Sequence, residues 1–140
     1  MKSQIQNLFL AGCFLLAAVG NGFAHQESGL PCGEPADLQR DRRGKPVWYL
    51  PKQMKKRTES RKLPPAPILH MKGQMLVALL VNAEGRVECA KSLNRHPLAA
   101  KLLEERVSQL RFKPVKAKGK PVSAYGLLRL YVEYGSISIS

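Results

Sequence analysis

The clearest pattern of hydrophobic and polar positions begins near the middle of the chain. Residues 74–81, "QMLVALLV", form a continuous apolar run, which is typical of a strand covered on both faces. "NAEGR" then supplies a turn in which Gly85 is free to adopt a positive φ angle. Residues 87–93, "VECAKSL", alternate between two faces. The two runs together predict a β-hairpin.

A helix and a long strand follow this hairpin. Residues 97–110, "PLAAKLLEERVSQL", place their apolar side chains on one helical face, and Asn94 or His96 can cap the start. Pro114 ends this segment, and residues 122–134 alternate as a final strand. We therefore predict an α+β fold, a small ββαβ domain with one helix packed on a three-stranded, mostly antiparallel sheet.

The sequence before this domain is polar and rich in glycine and proline. Residues 25–62 predict a basic, partly ordered arm that begins as a loop and carries a short helix near residues 51–60, with Pro51 at its first turn. The predicted domain covers residues 63–135, and residues 136–140 are expected to form a tail.

The first 24 residues have the pattern of a signal peptide. A basic residue precedes an apolar run, and Gly22 and Ala24 have the spacing that signal peptidase requires. The run is shorter than the roughly 20 apolar residues that cross a bilayer as a helix. We expect cleavage after Ala24 and an exported protein of the periplasm or cell envelope. The alternative is an inner-membrane anchor formed by uncleaved residues 8–24.

The cysteines give two further expectations. Cys13 lies in "LAGC", which has the form of a lipoprotein box, so lipidation at Cys13 is a third alternative for the N-terminus. Cleavage would leave Cys32 and Cys89, and an even pair in an oxidising compartment predicts a Cys32–Cys89 disulfide. Such a bond would stabilise the fold by about 4 kcal/mol through the unfolded state. Two separate thiols are the alternative.

The chain is strongly basic, with 23 Lys and Arg against 10 Asp and Glu and a net charge of +13. Such a surface attracts polyanions and anionic membrane surfaces, although a solvated basic surface without a ligand is the alternative. Export argues against nucleic acid as a partner. Four further lysines crowd the connection before the last strand, at Lys113, Lys116, Lys118 and Lys120. The candidate basic patch comprises Lys52, Lys55, Lys56, Arg57, Arg61 and Lys62.

No constellation of residues indicates an enzyme. Asp37 and Asp41 both lie in the arm, so no pair of aspartates is placed for acid–base catalysis. His25, His70 and His96 are far apart in sequence and lack the spacing of metal ligands. We expect no catalytic residues, no metal site and no cofactor.

The order of motifs resembles the C-terminal domain of TonB-type energy transducers. The motifs are "GQMLVALLVNAEGRV", "NRHPLAAKLLEERVSQLRFKP" and "GKPVSAYGLLRLYVEY". The family pattern has Gly-x-Val-x-Val in a first strand, a turn with Gly-x-Val, a helix that ends near Trp-x-Phe-x-Pro, and a Gly-x-Pro-Val strand. In this sequence Leu110 stands at the Trp position. The positions that match it are Gly73, Gly85, Val87, Phe112, Pro114, Gly119, Pro121 and Val122.

The resemblance implies a periplasmic protein-binding domain rather than a catalyst. Family members add an extended segment of an outer-membrane receptor to a sheet edge, which links them to transport across that membrane. A segment of an envelope or outer-membrane protein would then be the partner, and edge-to-edge homodimers fit the same architecture. The alternative is a basic envelope protein that binds anionic surface polymers or lipids. The candidate peptide-binding edge lies along the final strand, at Ser123, Tyr125, Leu127, Arg129, Tyr131 and Glu133.

Overall fold

The computed structural model describes residues 33–94 and 96–140. The predicted signal peptide, the alternative anchor and the cysteines at positions 13 and 32 lie outside the described residues.

The described residues form an α+β fold with two helices and a mostly antiparallel sheet, which confirms the predicted fold class. The strands are β1 (Trp48–Tyr49), β2 (Lys72–Val81), β3 (Val87–Ser92), β4 (Val115–Ala117), β5 (Lys120–Val122), β6 (Ala124–Glu133) and β7 (Ser136–Ile139). The helices are α1 (Pro51–Arg57) and α2 (Pro97–Val107).

The main sheet has five strands instead of the three that the sequence predicts. Its order is β1-β6-β2-β3, and β7 also pairs with β6. The strands β2 and β6 form the longest ladder, an antiparallel pairing that runs from Lys72↔Glu133 to Val81↔Ala124. The added strands are β1, which pairs with β6 in parallel, and β7, which pairs with it antiparallel. A separate two-stranded sheet joins β4 and β5.

The main core lies between α2 and one face of this sheet. Successive side chains of β2 and β6 point to opposite faces of the sheet. The paired residues Val77 and Leu128 share one face and are fully buried. Leu103 and Val107 of α2 pack against them. At the start of α2, Nδ1 of His96 accepts a hydrogen bond from the Ala99 N–H at 3.2 Å, as one of the two predicted caps.

The opposite face of the sheet carries a second core that includes the arm. Leu38 packs there with Leu80 and Tyr125, and the Trp48 ring stacks on Tyr125 with a centroid separation of 4.8 Å. The Tyr125 hydroxyl donates to the Gly33 carbonyl at 2.5 Å. The part of the arm that the sequence predicts to begin as a loop is therefore packed on the domain, because Leu38 and Trp48 cover the second face of β6.

The turn between β2 and β3 is docked tightly against the segment after α2. Gly85 has a φ of +83°, and its carbonyl accepts a hydrogen bond from the Phe112 N–H at 2.8 Å. A Cβ atom at this position would lie 1.9 Å from the Phe112 carbonyl oxygen. Glycine is required here both by the backbone angle and by the close approach.

We predict that Gly85→Ala destabilises the protein far more than Gly119→Ala. Gly119 also has a positive φ, of +78°, but no heavy atom lies within 4 Å of its hypothetical Cβ. The left-handed conformation alone costs about 1–2 kcal/mol in either variant. Gly85→Ala must in addition displace Phe112 from the core, which we expect to add about 2 kcal/mol or more. Urea denaturation measures both values, and equal losses would contradict the described docking.

Candidate peptide-docking edge

The predicted edge lies on the outer side of β6. In an antiparallel ladder, alternate residues direct their backbone groups to opposite sides. The Tyr134 N–H donates to the Met71 carbonyl at 2.9 Å, so the even-numbered residues of β6 face β2 and the odd-numbered residues face outward. All six predicted residues are odd-numbered: Ser123, Tyr125, Leu127, Arg129, Tyr131 and Glu133.

The chain itself occupies most of this outer side. The Ser123 N–H donates to the Asp37 carbonyl of the arm at 3.2 Å, and the Ser123 carbonyl accepts a hydrogen bond from the Gln39 N–H at 2.8 Å. Tyr125 pairs with β1, and Tyr131 and Glu133 pair with β7. The Ser140 N–H donates to the Arg129 carbonyl at 3.0 Å. The prediction that β6 is a free sheet edge is therefore wrong.

The strand β7 explains most of this error. Residues 136–140 are expected from the sequence to form a tail. In the structure, Tyr134 and Gly135 both have positive φ angles, of 45° and 90°, and reverse the chain. Ile137 and Ile139 then enter the main core with 2% and 5% of their surfaces exposed. The alternation of "SISI" is the sequence signal for this strand, and it is short enough to be overlooked.

A short gap remains on this side of β6. Leu127, Leu128 and Arg129 lie between the residues paired with β1 and those paired with β7. A hollow of about 620 Å³ opens beside the gap, lined by Leu50, Pro51, Lys52, Gln53 and Arg129. Since strands in globular proteins are usually about five or six residues long, three residues give little room for an added strand unless β1 or β7 moves.

The strand β3 is the outer strand at the other side of the sheet. The Leu93 N–H donates to the Leu76 carbonyl at 2.9 Å, so Lys91 also faces β2, whereas Ala90 and Ser92 face outward. Among the described residues, no strand pairs with this outward side. The Ser92 N–H is held by the Glu104 carboxylate of α2 at 2.8 Å. Ala90 therefore lies on a short stretch of sheet edge with no ladder partner in the described chain, between the isolated Arg86–Arg111 bridge and the Ser92 N–H that Glu104 holds.

Exposed apolar side chains follow the end of β3. Leu93 is 52% exposed and Leu98, in the first turn of α2, is 47% exposed. Leu98 lines a hollow of about 280 Å³ together with Ile68, His70 and His96. Solvent-exposed leucines next to the outer side of an edge strand are found on surfaces that contact another protein.

Cys89 is disulfide-bonded. Its side chain projects from β3 toward the second core, where it packs beside Leu80 and Tyr125. The bonding partner lies outside the described residues, as does Cys32, so the Cys32–Cys89 pairing stays a prediction.

The six residues of the predicted basic patch separate into two groups. Lys52, Lys55, Lys56 and Arg57 lie on α1. Arg61 and Lys62 instead run beside β7, where the Ile139 N–H donates to the Arg61 carbonyl at 2.9 Å. The four lysines of the later connection lie in or next to the β4–β5 hairpin.

Two side chains among the described residues have shifted pKa values. Burial raises the pKa of Tyr125, the Glu34 carboxylate adds to this effect and Arg40 opposes it. The Lys72 ammonium group forms an ion pair with the Glu133 carboxylate, with Nζ and Oε1 3.2 Å apart. The hydrogen bond to this carboxylate raises the pKa of Lys72. Both shifts stabilise the ordinary protonation state at neutral pH, so neither indicates a catalytic group.

Within residues 33–94 and 96–140, no three His, Cys, Asp or Glu side chains lie close enough together to hold a metal ion. In the same part of the chain, neither helix has the length and hydrophobicity to cross a membrane.

Comparisons with protein-family models, with curated proteins and with solved structures found no match to this chain. The resemblance to TonB-type domains therefore rests on the sequence motifs alone.

We predict that Tyr125→Phe makes the stability of the protein less sensitive to alkali. Because the pKa of Tyr125 is raised in the fold, its neutral hydroxyl stabilises the protein below the unfolded pKa of about 10, and this stability is lost as the pH rises through the folded pKa. At neutral pH the variant should lose about 1 kcal/mol with the bond to Gly33. Urea denaturation at neutral and alkaline pH measures the difference.

The matched control is Tyr134→Phe, because Tyr134 is 69% exposed. The control should keep the pH dependence of the wild-type protein. An identical alkaline loss in the wild-type protein and Tyr125→Phe would contradict the packing of Tyr125 against the arm.

Proposed function

We propose that this chain is an exported, TonB-like protein-interaction module that binds an extended segment of an envelope protein by β-strand addition. We further propose that the segment adds to β3, not to β6 as the sequence suggests. The observation that carries the proposal is the outward side of β3, which has no ladder partner among the described residues. A segment of an outer-membrane transport protein would fit this role.

Strand addition matches the chemistry of this edge. A new strand would bond to the backbone N–H and carbonyl of Ala90, and main-chain bonds make few demands on the partner's sequence. Alternate side chains of the partner would lie on the two faces of the sheet. On one face they would meet Ala90, which is small and half-buried against the main core, and on the other the exposed Lys91.

Addition to β6 is less favourable because it requires the chain to release its own strands. Moving β7 would expose Ile137 and Ile139, which are almost completely buried. Exposing a buried isoleucine costs about 1.5–3 kcal/mol, so a partner would have to compensate for roughly twice that amount. The β3 edge requires no such displacement among the described residues.

We predict that Ala90→Pro abolishes strand addition while leaving the fold intact. The Ala90 N–H faces outward, so proline removes a donor that the β2–β3 ladder does not use, and its ring obstructs an incoming strand. The probe is a set of peptides selected on the wild-type protein from a library of random peptides displayed on phage. Isothermal titration calorimetry should show that their affinity falls about tenfold or more.

The matched control is Ala90→Ser, which keeps the backbone N–H and nearly the same volume. It should bind the selected peptides as the wild-type protein does, and circular dichroism should show that both variants are folded. Unchanged affinity in a folded Ala90→Pro variant would contradict binding at β3. Selection of no peptides on the wild-type protein would contradict the proposed function itself.

A further inference from the structure

A second surface is built where three chain segments run side by side. The Lys113 N–H donates to the Arg57 carbonyl at 2.7 Å, and the Glu59 N–H donates to the Arg111 carbonyl at 3.0 Å. These bonds frame the isolated bridge between Thr58 and Phe112. A second isolated bridge, between Arg86 and Arg111, joins the segment after α2 to the turn that precedes β3. The segment after α2 is thus held between the end of α1 and the β2–β3 turn.

This arrangement places positive charges opposite one another. The bridge between residues 58 and 112 sets Arg57 opposite Lys113, and the second bridge sets Arg111 opposite Arg86. Four cations, Arg57, Arg86, Arg111 and Lys113, therefore lie at neighbouring backbone positions of these three segments, and Glu59 lies opposite Arg111. We refer to these four residues as the cluster of four cations.

Acidic residues do little to neutralise this cluster. The nearby carboxylates are Glu59 and Glu84, and only Glu84 forms an ion pair, with Arg86 at 3.8 Å. Among the described residues, the other two ion pairs join Arg40 to Glu34 and Lys72 to Glu133. Arg57 lies over the Tyr49 ring at 5.0 Å and has no carboxylate partner in this part of the chain.

Two neighbouring elements extend the positive charge. The helix α1, which ends at Arg57, adds Lys52, Lys55 and Lys56. The connection that follows Lys113 adds Lys116, Lys118 and Lys120 of the β4–β5 hairpin, all of which are exposed. We call the cluster of four cations together with these six lysines the cationic face.

An exposed apolar residue lies at one end of this face. Leu50 directly precedes α1, and 58% of its surface is exposed. Its backbone is fixed, because its N–H donates to Oε1 of Gln53 at 2.8 Å and its carbonyl accepts from the Met54 N–H at 3.0 Å. Leu50 also lines the 620 Å³ hollow beside Lys52. A fixed, exposed leucine next to lysines is the combination that a lipid–water interface accommodates.

We propose that the cationic face and Leu50 dock on a bilayer surface that contains anionic lipids. The lysines and arginines supply electrostatic attraction to the headgroups, and Leu50 enters the boundary between headgroups and acyl chains. A soluble polyanion would be attracted by the same charges but would gain nothing from the leucine. This docking uses a different surface from strand addition at β3 and does not depend on it.

The test is co-sedimentation of the full chain with vesicles of equal parts phosphatidylcholine and phosphatidylglycerol. The wild-type protein should bind these vesicles and not vesicles of phosphatidylcholine alone. A triple variant should bind roughly a hundredfold more weakly, because each cation removed costs about fivefold in affinity. Its three substitutions are Lys113→Gln, Lys116→Gln and Lys120→Gln. Circular dichroism checks that the variant is folded.

The matched control removes the same charge elsewhere, with Arg42→Gln, Arg43→Gln and Lys101→Gln. All three control side chains are exposed and none forms an ion pair with a described residue. We expect this variant to lose only a few-fold in vesicle binding. Equal losses in the two triple variants would overturn the proposal, because net charge alone would then account for binding.

The variant Leu50→Gln separates a bilayer from a soluble polyanion. It should weaken binding to the mixed vesicles several-fold and leave binding to inorganic polyphosphate unchanged. If Leu50→Gln binds the vesicles as well as the wild-type protein does, Leu50 does not enter the bilayer and the proposal fails. Failure of the wild-type protein to bind the mixed vesicles would also overturn it.

Discussion

The ladder between β2 and β6 is the interaction on which the rest of the structure depends. The two strands pair along their whole lengths, from Lys72↔Glu133 to Val81↔Ala124. Each face of this ladder carries apolar side chains, so each face must be covered. The helix α2 covers one face, and the arm with Leu38 and Trp48 covers the other. The continuous apolar run of residues 74–81 is the direct cause, because a strand with only one buried face would alternate.

The same ladder determines which sheet edges are open. A strand that is apolar on both faces belongs at the centre of a sheet, and β6 is central because the arm, β1 and β7 occupy its outer side. This outcome leaves β3 as the outer strand at the opposite side. The proposed site for a partner therefore follows from the way in which the chain protects β6, rather than from any feature of β3 alone.

The sequence predicts the long elements and misses the short ones. The apolar run of β2, the helical spacing of α2 and the alternation of β6 each extend over eight or more residues, so their patterns are unambiguous. By contrast, β1 has two residues and β7 has four, too few for a pattern to stand out. For this reason the sequence indicates a free sheet edge at β6, because only the short strands β1 and β7 distinguish a covered outer side of β6 from an exposed one.

The candidate basic site could be predicted only in part. The lysines of α1 are close together in sequence and form an evident cluster, but Arg57 and Lys113 are far apart along the chain. Only the backbone bridge between Thr58 and Phe112 brings them together. No local pattern in the sequence indicates such a bridge, because its pairing depends on how α1 and the end of α2 pack on the sheet.

Amide hydrogen exchange of the free protein tests most directly whether β3, and not β6, has an outer side without a ladder partner among the described residues. We expect the outward N–H of Ala90 to exchange quickly, while the outward N–H groups of Tyr131 and Glu133 exchange slowly because β7 pairs with them. Slow exchange at Ala90 with fast exchange at Tyr131 and Glu133 would contradict the account and return the candidate site to β6.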